Sequence, residues 1–122
     1  MQRIFQCSTS DYWHTHYTLK KSSAKRIKPL SKPFTDLIII NSVLPIKYAF
    51  QHINGYDQDS IISILKSIPS EQNAIVKGFN APKPISKTAL DSQALIELKN
   101  NYCNNIKCLQ CAIGSVLLNR NA

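Results

Sequence analysis

Glycine is scarce in this chain, and its scarcity excludes one common kind of site. The 122 residues contain three glycines, at positions 55, 78 and 114. A phosphate-binding loop needs several glycines close together, because backbone amides must approach the phosphate without side chains in the way. No such loop can be built from glycines spaced this far apart.

Acidic residues are also few, which bears on catalysis. Seven carboxylates are spread along the chain, at Asp11, Asp36, Asp57, Asp59, Glu71, Asp91 and Glu97. No two have the spacing of a catalytic pair, and most lie where a helix start needs a cap. No serine has a local nucleophile signature. We therefore assign no catalytic residue and expect this chain not to be an enzyme by itself.

Long apolar runs are absent as well. The longest is Leu37–Ile40, whereas a membrane-spanning helix needs about 20 apolar residues. The N-terminus lacks the apolar segment of a secretion signal. We expect a cytoplasmic protein with no membrane contact, in which thiols stay reduced and a cysteine cluster favours metal binding over disulfides.

The periodicity of the apolar residues predicts an all-α fold in a single domain over residues 1–122. Hydrophobic residues make up 43% of the chain and charged residues 18%, as in globular proteins. About five helices are expected after an irregular aromatic N-terminal segment. They run from Phe34 to about His52 with a kink at Pro45, from Asp57 to Ile68, from Ser70 to Phe79, from Thr88 to Tyr102, and from Ala112 to Leu118. The expected caps of the first four are Ser31, Asp57, Ser70 and Thr88, the last in a capping-box-like pattern with Asp91.

Positive charge is concentrated in one stretch. The net charge is +8, and six of the 15 basic residues lie in KKSSAKRIKPLSK, which contains no acid: Lys20, Lys21, Lys25, Arg26, Lys28 and Lys32. We expect an exposed, irregular loop here. It is either a footprint for nucleic acid or a solvated segment that keeps the protein soluble. The aromatic residues Tyr12, Trp13 and Tyr17 precede it, and aromatic rings beside positive charge are typical of single-strand binding.

Three cysteines are clustered in YCNNIKCLQC as Cys103, Cys108 and Cys111. The C-x2-C pair has the spacing of a metal knuckle, so the cluster predicts a zinc site. An iron–sulfur cluster and three reduced, buried cysteines with no metal are the alternatives. A structural zinc site needs a fourth ligand, and the spacing leaves Cys7, His14, His16 and His52 open.

Four segments together resemble a known family. DYWHTHYTLKK, FTDLIIINSVLPIKYAF, ALDSQALIELKNNYC and KCLQCAIG resemble the C-terminal part of a bacterial family of uncharacterised proteins, domain of unknown function 2851. The shared residues are Tyr12, Trp13, Thr15, His16, Tyr17, Asn41, Pro45, Asp91, Ser92, Gln93, Cys103, Cys108, Cys111 and Gly114.

The resemblance implies a module within a longer architecture. Family members are several times longer, and their N-terminal halves carry acidic and histidine motifs similar to those of restriction-like nucleases. None of those motifs is present here. His16 belongs to the shared Thr-His-Tyr pattern, so the resemblance implies His16 as the fourth zinc ligand beside Cys103, Cys108 and Cys111.

These observations lead to two hypotheses of different kinds. The first is a non-catalytic helical module, held together by zinc, that helps a larger protein bind nucleic acid. The second is a structural or protein-interaction domain with reduced cysteines and no metal. Its partner would be the N-terminal half of a longer protein or a second copy, docked on an exposed apolar patch around Leu37–Ile40.

Overall fold

The computed structural model describes residues 2–6 and 8–119, without the side chains of residues 2, 3 and 119. This part of the chain is mainly helical and includes one small two-stranded antiparallel sheet, so the all-α prediction is confirmed. The α-helices are α1 Asp11–His14, α2 Lys32–Ile38, α3 Leu44–Ile53, α4 Asp59–Ser67, α5 Ala74–Asn80, α6 Ala89–Glu97 and α7 Ala112–Asn119. The strands are β1 His16–Thr18 and β2 Lys21–Ser22.

Contacts divide the chain into two compact units, Met1–Ala49 and Phe50–Ala122. The division falls within α3. No helix in the described ranges has the length and apolar character needed to cross a lipid bilayer.

In the first unit, the predicted long helix is interrupted where proline requires it. The side chain of Ser31 caps α2 by accepting a hydrogen bond from the Phe34 amide at 3.4 Å, as expected. A π-helical segment, Ile39–Val43, then joins α2 to α3, and the Leu44 amide donates to the carbonyl of Ile39. Pro45 follows at once. Because its ring clashes with a carbonyl four residues earlier, a wider turn relieves the conflict without ending the helix.

The apolar run Leu37–Ile40 is divided between core and surface. Ile39 and Ile40 are buried with Leu44, whereas Leu37 is 41% exposed and Ile38 is half-buried. The predicted patch is therefore smaller than the run, because two of its four side chains belong to the core.

The second unit is organised around the start of α6. The Ala89 amide donates to the carbonyl of Ile68 at 2.8 Å, and an isolated bridge joins Pro69 to Thr88. The buried apolar residues of this unit are Ile61, Ile68, Val76 and Ala89. Ser92 is fully buried and is satisfied by donating to the carbonyl of Ala89 and accepting from the amide of Glu71.

Helix starts in this unit match the predictions in part. Thr88 caps α6 in a reciprocal capping box with Asp91, as expected. Ser70 does not cap α5, because its hydroxyl pairs with Ser86 at 2.6 Å and Asn73 takes the capping role. The helix predicted from Asp57 begins at Asp59, whose amide donates to the Asp57 carboxylate at 3.2 Å.

Candidate nucleic-acid interface and cysteine turn

Residues 11–17, which comprise α1 and the residues that follow it as far as Tyr17, form a compact aromatic turn. The ring of Tyr12 stacks on that of His16, with centroids 4.0 Å apart and planes 5° from parallel. The rings of Trp13 and Tyr12 make a T-shaped contact, with centroids 5.1 Å apart and planes 88° from parallel. The Tyr12 hydroxyl donates to the carbonyl of Leu19 at 2.6 Å and so ties the turn to the hairpin loop. These contacts give Tyr12 a structural role, since one ring face and its hydroxyl are already engaged.

The hydrogen bonds of His16 determine which ring nitrogen is available. Its Nδ1 lies 3.0 Å from the carbonyl of Tyr12, and Thr15 Oγ1 is also 3.0 Å from Nδ1. A carbonyl oxygen only accepts, so this contact assigns the ring proton to Nδ1. The neutral ring then has its lone pair on Nε2, the state required of a base or a metal ligand.

A bulge in the hairpin directs Tyr17 outward. His16 pairs with Ser22 and Thr18 pairs with Lys21, which leaves Tyr17 as the extra residue on β1. Such bulges redirect side chains and are common beside functional sites. Tyr17 is 65% exposed. The Lys28 ammonium lies 3.5 Å from the centroid of its ring and donates to the carbonyl of His16 at 2.8 Å. Lys28 therefore supports Tyr17 from one side.

The basic segment, residues 20–32, is attached to the aromatic turn through its backbone. The Ser23 amide donates to the carbonyl of Thr15 at 2.6 Å, and the Arg26 amide donates to the carbonyl of His14 at 2.8 Å. These bonds hold the main chain of residues 23–26 beside the turn, and the side chains of residues 24–26 are exposed. The segment is largely irregular and exposed, as predicted, although β2 adds a short strand that the sequence did not indicate.

The six predicted cations divide into two groups. Lys28 is half-buried on Tyr17, and Lys32 pairs with the Asp36 carboxylate at 2.7 Å. The other four are exposed, and their side chains make no ion pair or hydrogen bond within the described residues: Lys20, Lys21, Lys25 and Arg26. Sequence reasoning missed this division, because it depends on partners that no local pattern identifies.

The charge of the protein is concentrated in the first unit. Residues 1–49 carry eight basic and two acidic residues, whereas residues 50–122 carry seven and five. Most of the net charge of +8 therefore belongs to the unit that contains the aromatic turn. Clustered charge of one sign attracts partners of opposite sign.

The predicted metal knuckle is a short 3₁₀ turn, Cys108–Gln110, in which the Cys111 amide donates to the carbonyl of Cys108 at 3.3 Å. Helix α7 holds this turn in place. The Ser115 hydroxyl donates to the carbonyl of Leu109 at 3.1 Å, and Gly114 lies against the carbonyl of Cys108. A β-carbon added at Gly114 would be 2.3 Å from that oxygen, so only glycine fits there.

The cysteines are free thiols that are largely open to solvent. Cys103 and Cys108 are exposed and Cys111 is half-buried, which differs from the buried state expected of cysteines without a metal. Among the described residues, no group of three or more histidine, cysteine or acidic side chains is arranged to hold a metal ion. His16 belongs to the first unit and the cysteines to the second. Cys7 lies outside the described residues, so the zinc site stays a prediction.

Ile106, between the cysteines, is a residue that sequence reasoning did not select. It has a φ of 54° and is 86% exposed. A β-branched residue rarely adopts this left-handed conformation, which costs of order 1–3 kcal/mol. The adjacent Asn104-Asn105 indicated a turn but not the position of its strained residue.

Comparison with known proteins places the chain in a family. No curated protein and no solved structure matches it. The model of one family, described as Protein of unknown function (DUF2851), matches residues 1–74. The match includes the aromatic turn, the basic segment and helices α2 to α4, and it ends before the cysteine turn. It spans more than half of the 122 residues, and the chain belongs to this family of unknown function.

Proposed function

We propose that the first unit is a non-catalytic module that binds nucleic acid through its aromatic turn and basic segment. One observation carries the proposal. Two backbone hydrogen bonds, from Ser23 to Thr15 and from Arg26 to His14, hold an exposed cationic segment against an exposed aromatic turn. Phosphate contacts supply affinity in such an arrangement, and aromatic rings supply contacts to bases.

The number of free cations sets the expected salt dependence. If Lys20, Lys21, Lys25 and Arg26 each neutralise one phosphate of a single strand, log K falls against log salt with a slope of about −3. Raising salt from about 50 to about 200 mM would then weaken binding by about fifty-fold. If contacts other than phosphate contacts drive binding, the affinity would change far less with salt.

The proposal is tested by measuring the affinity for a fluorescently labelled oligonucleotide by anisotropy over that salt range. In the test variant, alanine replaces Lys20, Lys21, Lys25 and Arg26. In the control, alanine replaces four exposed lysines of the second unit, which removes the same charge: Lys66, Lys77, Lys83 and Lys99. We expect the first variant to lose most of its affinity and its salt slope. Equal losses in both variants, or no binding at low salt, would overturn the proposal.

We also propose that the cysteine turn binds zinc through Cys103, Cys108 and Cys111. The support is chemical and local. Cys108 and Cys111 lie at the ends of a turn that α7 fixes through Gly114 and Ser115, and the three thiols are free and accessible. Zinc bound by cysteines contributes folding free energy directly. Residues 101–110 are all exposed, so burial of their side chains contributes little to stability and a bound metal would add to it.

A different function, protein association, is favoured by the surface next to this turn. Six large apolar side chains are exposed there: Ile106 (86%), Leu109 (81%), Val116 (62%), Leu117 (57%), Ile113 (55%) and Leu118 (55%). Residues 108–119 carry no charged side chain, in a chain with a net charge of +8. Two copies would repel each other over most of their surface, so this uncharged segment is where a second copy can approach.

This alternative is tested by the mass of the protein in solution. Light scattering coupled to size exclusion would give a dimer that Ile113→Asp dissociates. Ile62→Asp, at an exposed apolar residue of α4, is the control and should leave the dimer intact. A monomer at all concentrations would reject association through this surface.

A further inference from the structure

We infer that the nucleic acid bound by the first unit is single-stranded, and that its bases stack on Trp13 and Tyr17. This inference rests on the proposed function and names its substrate class. The Trp13 and Tyr17 side chains are 38% and 65% exposed. Trp13 precedes His14, whose carbonyl accepts a hydrogen bond from the Arg26 amide, and Tyr17 lies three residues before Lys20. Tyr12 is excluded from this role because its ring is stacked on His16 and also contacts Trp13, and its hydroxyl is bonded to the Leu19 carbonyl.

The ring of Tyr17 is prepared for stacking by the contacts around it. The bulge on β1 turns it outward, and the Lys28 ammonium covers one face at 3.5 Å. Lys28 is itself held by the carbonyl of His16, so the ring has a fixed support behind it. Holding an aromatic ring in place before binding lowers the entropy lost when a base stacks on it. Lys28 is thus a positioning residue and Tyr17 the contact residue.

Trp13 is also supported, by contacts within the aromatic turn. The Trp13 ring makes a T-shaped contact with Tyr12, which in turn stacks on His16 and is tied to Leu19 by its hydroxyl. Base stacking on such rings tolerates every base, because each has a flat face. The site is therefore expected to bind single strands with little sequence preference.

The architecture of the first unit disfavours double-stranded nucleic acid. In a duplex the base faces are stacked inside, and proteins usually read the grooves with a helix or a two-stranded ribbon. The hairpin strands here have three and two residues. Helix α2 contains one lysine, Lys32, which is paired with Asp36. Helix α3 contains one lysine, Lys47, which is half-buried, and neither helix contains arginine. Neither helix presents the free cations of a groove-binding element.

The chain contains a built-in reporter for this inference, because Trp13 is its only tryptophan. Three unlabelled ligands of equal length are titrated into the full chain while Trp13 emission is recorded: a single strand, the same sequence as a duplex, and a single strand lacking its bases. The single strand should quench the emission and, with two stacked bases, bind about a hundredfold more tightly than the baseless strand. The duplex should leave the emission largely unchanged.

Two variants locate the effect. Tyr17→Ala should weaken binding of the single strand about tenfold and leave binding of the baseless strand unchanged. Tyr17→Phe retains the ring and should behave like the wild type. If Tyr17→Ala does not fold, the comparison of the three ligands on the wild-type protein still decides the inference.

The outcomes separate this inference from the proposed function. Equal affinity for all three ligands, without quenching by the single strand, would leave nucleic-acid binding standing and overturn the single-strand assignment. Binding of none of them would overturn both.

Discussion

The rings of Tyr12 and His16 lie face to face with centroids 4.0 Å apart, and His16 Nδ1 is 3.0 Å from the Tyr12 carbonyl. The same two residues are therefore joined through both side chain and backbone. This pair joins α1 to β1. Tyr12 also contacts Trp13, and the His16 carbonyl accepts a hydrogen bond from Lys28, which lies over the ring of Tyr17. The Tyr12–His16 pair is the structural centre of the proposed interface.

The stability of this pair can be measured by a double-mutant cycle. Tyr12→Leu and His16→Ala each remove the stack, and we expect a coupling free energy of about 0.5–1.5 kcal/mol from urea unfolding of the two single variants and the double variant. The cycle Phe34→Leu with His16→Ala is the control, since no ring contact joins Phe34 to His16 within the described residues. Additive effects in the Tyr12–His16 cycle would show that the stack adds nothing to stability.

Gly114→Ala should destabilise the protein. The added methyl group would lie 2.3 Å from the carbonyl oxygen of Cys108, so α7 must move away from the cysteine turn, at a cost of about 1–3 kcal/mol. Gly78→Ala is the matched control, because Gly78 lies within α5 with nothing within 4 Å of an added β-carbon. Alanine there should stabilise the helix by about 0.5–1 kcal/mol. Thermal unfolding should show a lower unfolding temperature for Gly114→Ala and a higher one for Gly78→Ala. An unchanged unfolding temperature for Gly114→Ala would refute the close packing against Cys108.

Asp91→Asn should make stability less dependent on pH. Hydrogen bonds from the backbone amides of Lys87 and Thr88 lower the pKa of Asp91 below its ordinary value of 3.8. Because the folded state binds this proton less readily than the unfolded state, the stabilisation is present above pH 3.8 and is lost as pH falls through the folded pKa.

The stability difference between wild type and Asp91→Asn should therefore be largest near neutral pH and shrink in acid. Asp59→Asn is the control, since it removes an exposed carboxylate from the first turn of α4. A difference for Asp91→Asn that is constant from neutral pH to pH 3 would contradict the role of the capping box.

Zinc binding is checked by elemental analysis of the purified protein. We expect zinc in the wild type, and we expect Cys111→Ser to release it and to lower the unfolding temperature, because bound metal contributes folding free energy. Ser115→Ala is the control: it removes the hydrogen bond to Leu109 but no predicted ligand, so metal should remain. A wild-type protein without metal, and with no response of its unfolding temperature to a chelator, would leave the cysteines as plain thiols.

Local signals in the sequence were sufficient for several elements of the fold. Ser31 and the Thr88–Asp91 pair were identifiable as caps because their hydrogen-bond partners lie within three residues. Pro45 likewise indicated where the long helix must deform. The form of that deformation, a π-helical segment, depends on burying Ile39, Ile40 and Leu44 together, which no local pattern specifies.

Features that depend on distant partners could not be predicted. Ser70 has the right chemistry for a cap, but Ser86, sixteen residues away, takes its hydroxyl. The separation of Lys28 and Lys32 from the free cations depends on Tyr17 and Asp36. The bulge at Tyr17 depends on the register of a very short hairpin, which the alternation of side chains does not fix.

The most direct test of the central claim is to map, by NMR, the backbone amides of the isotope-labelled full chain that shift when a short single-stranded oligonucleotide is added. Our account predicts that the shifts are concentrated in residues 12–28, together with the indole N–H of Trp13, and that they fade as salt is raised. Shifts concentrated in residues 102–118, or no shifts at low salt, would contradict it.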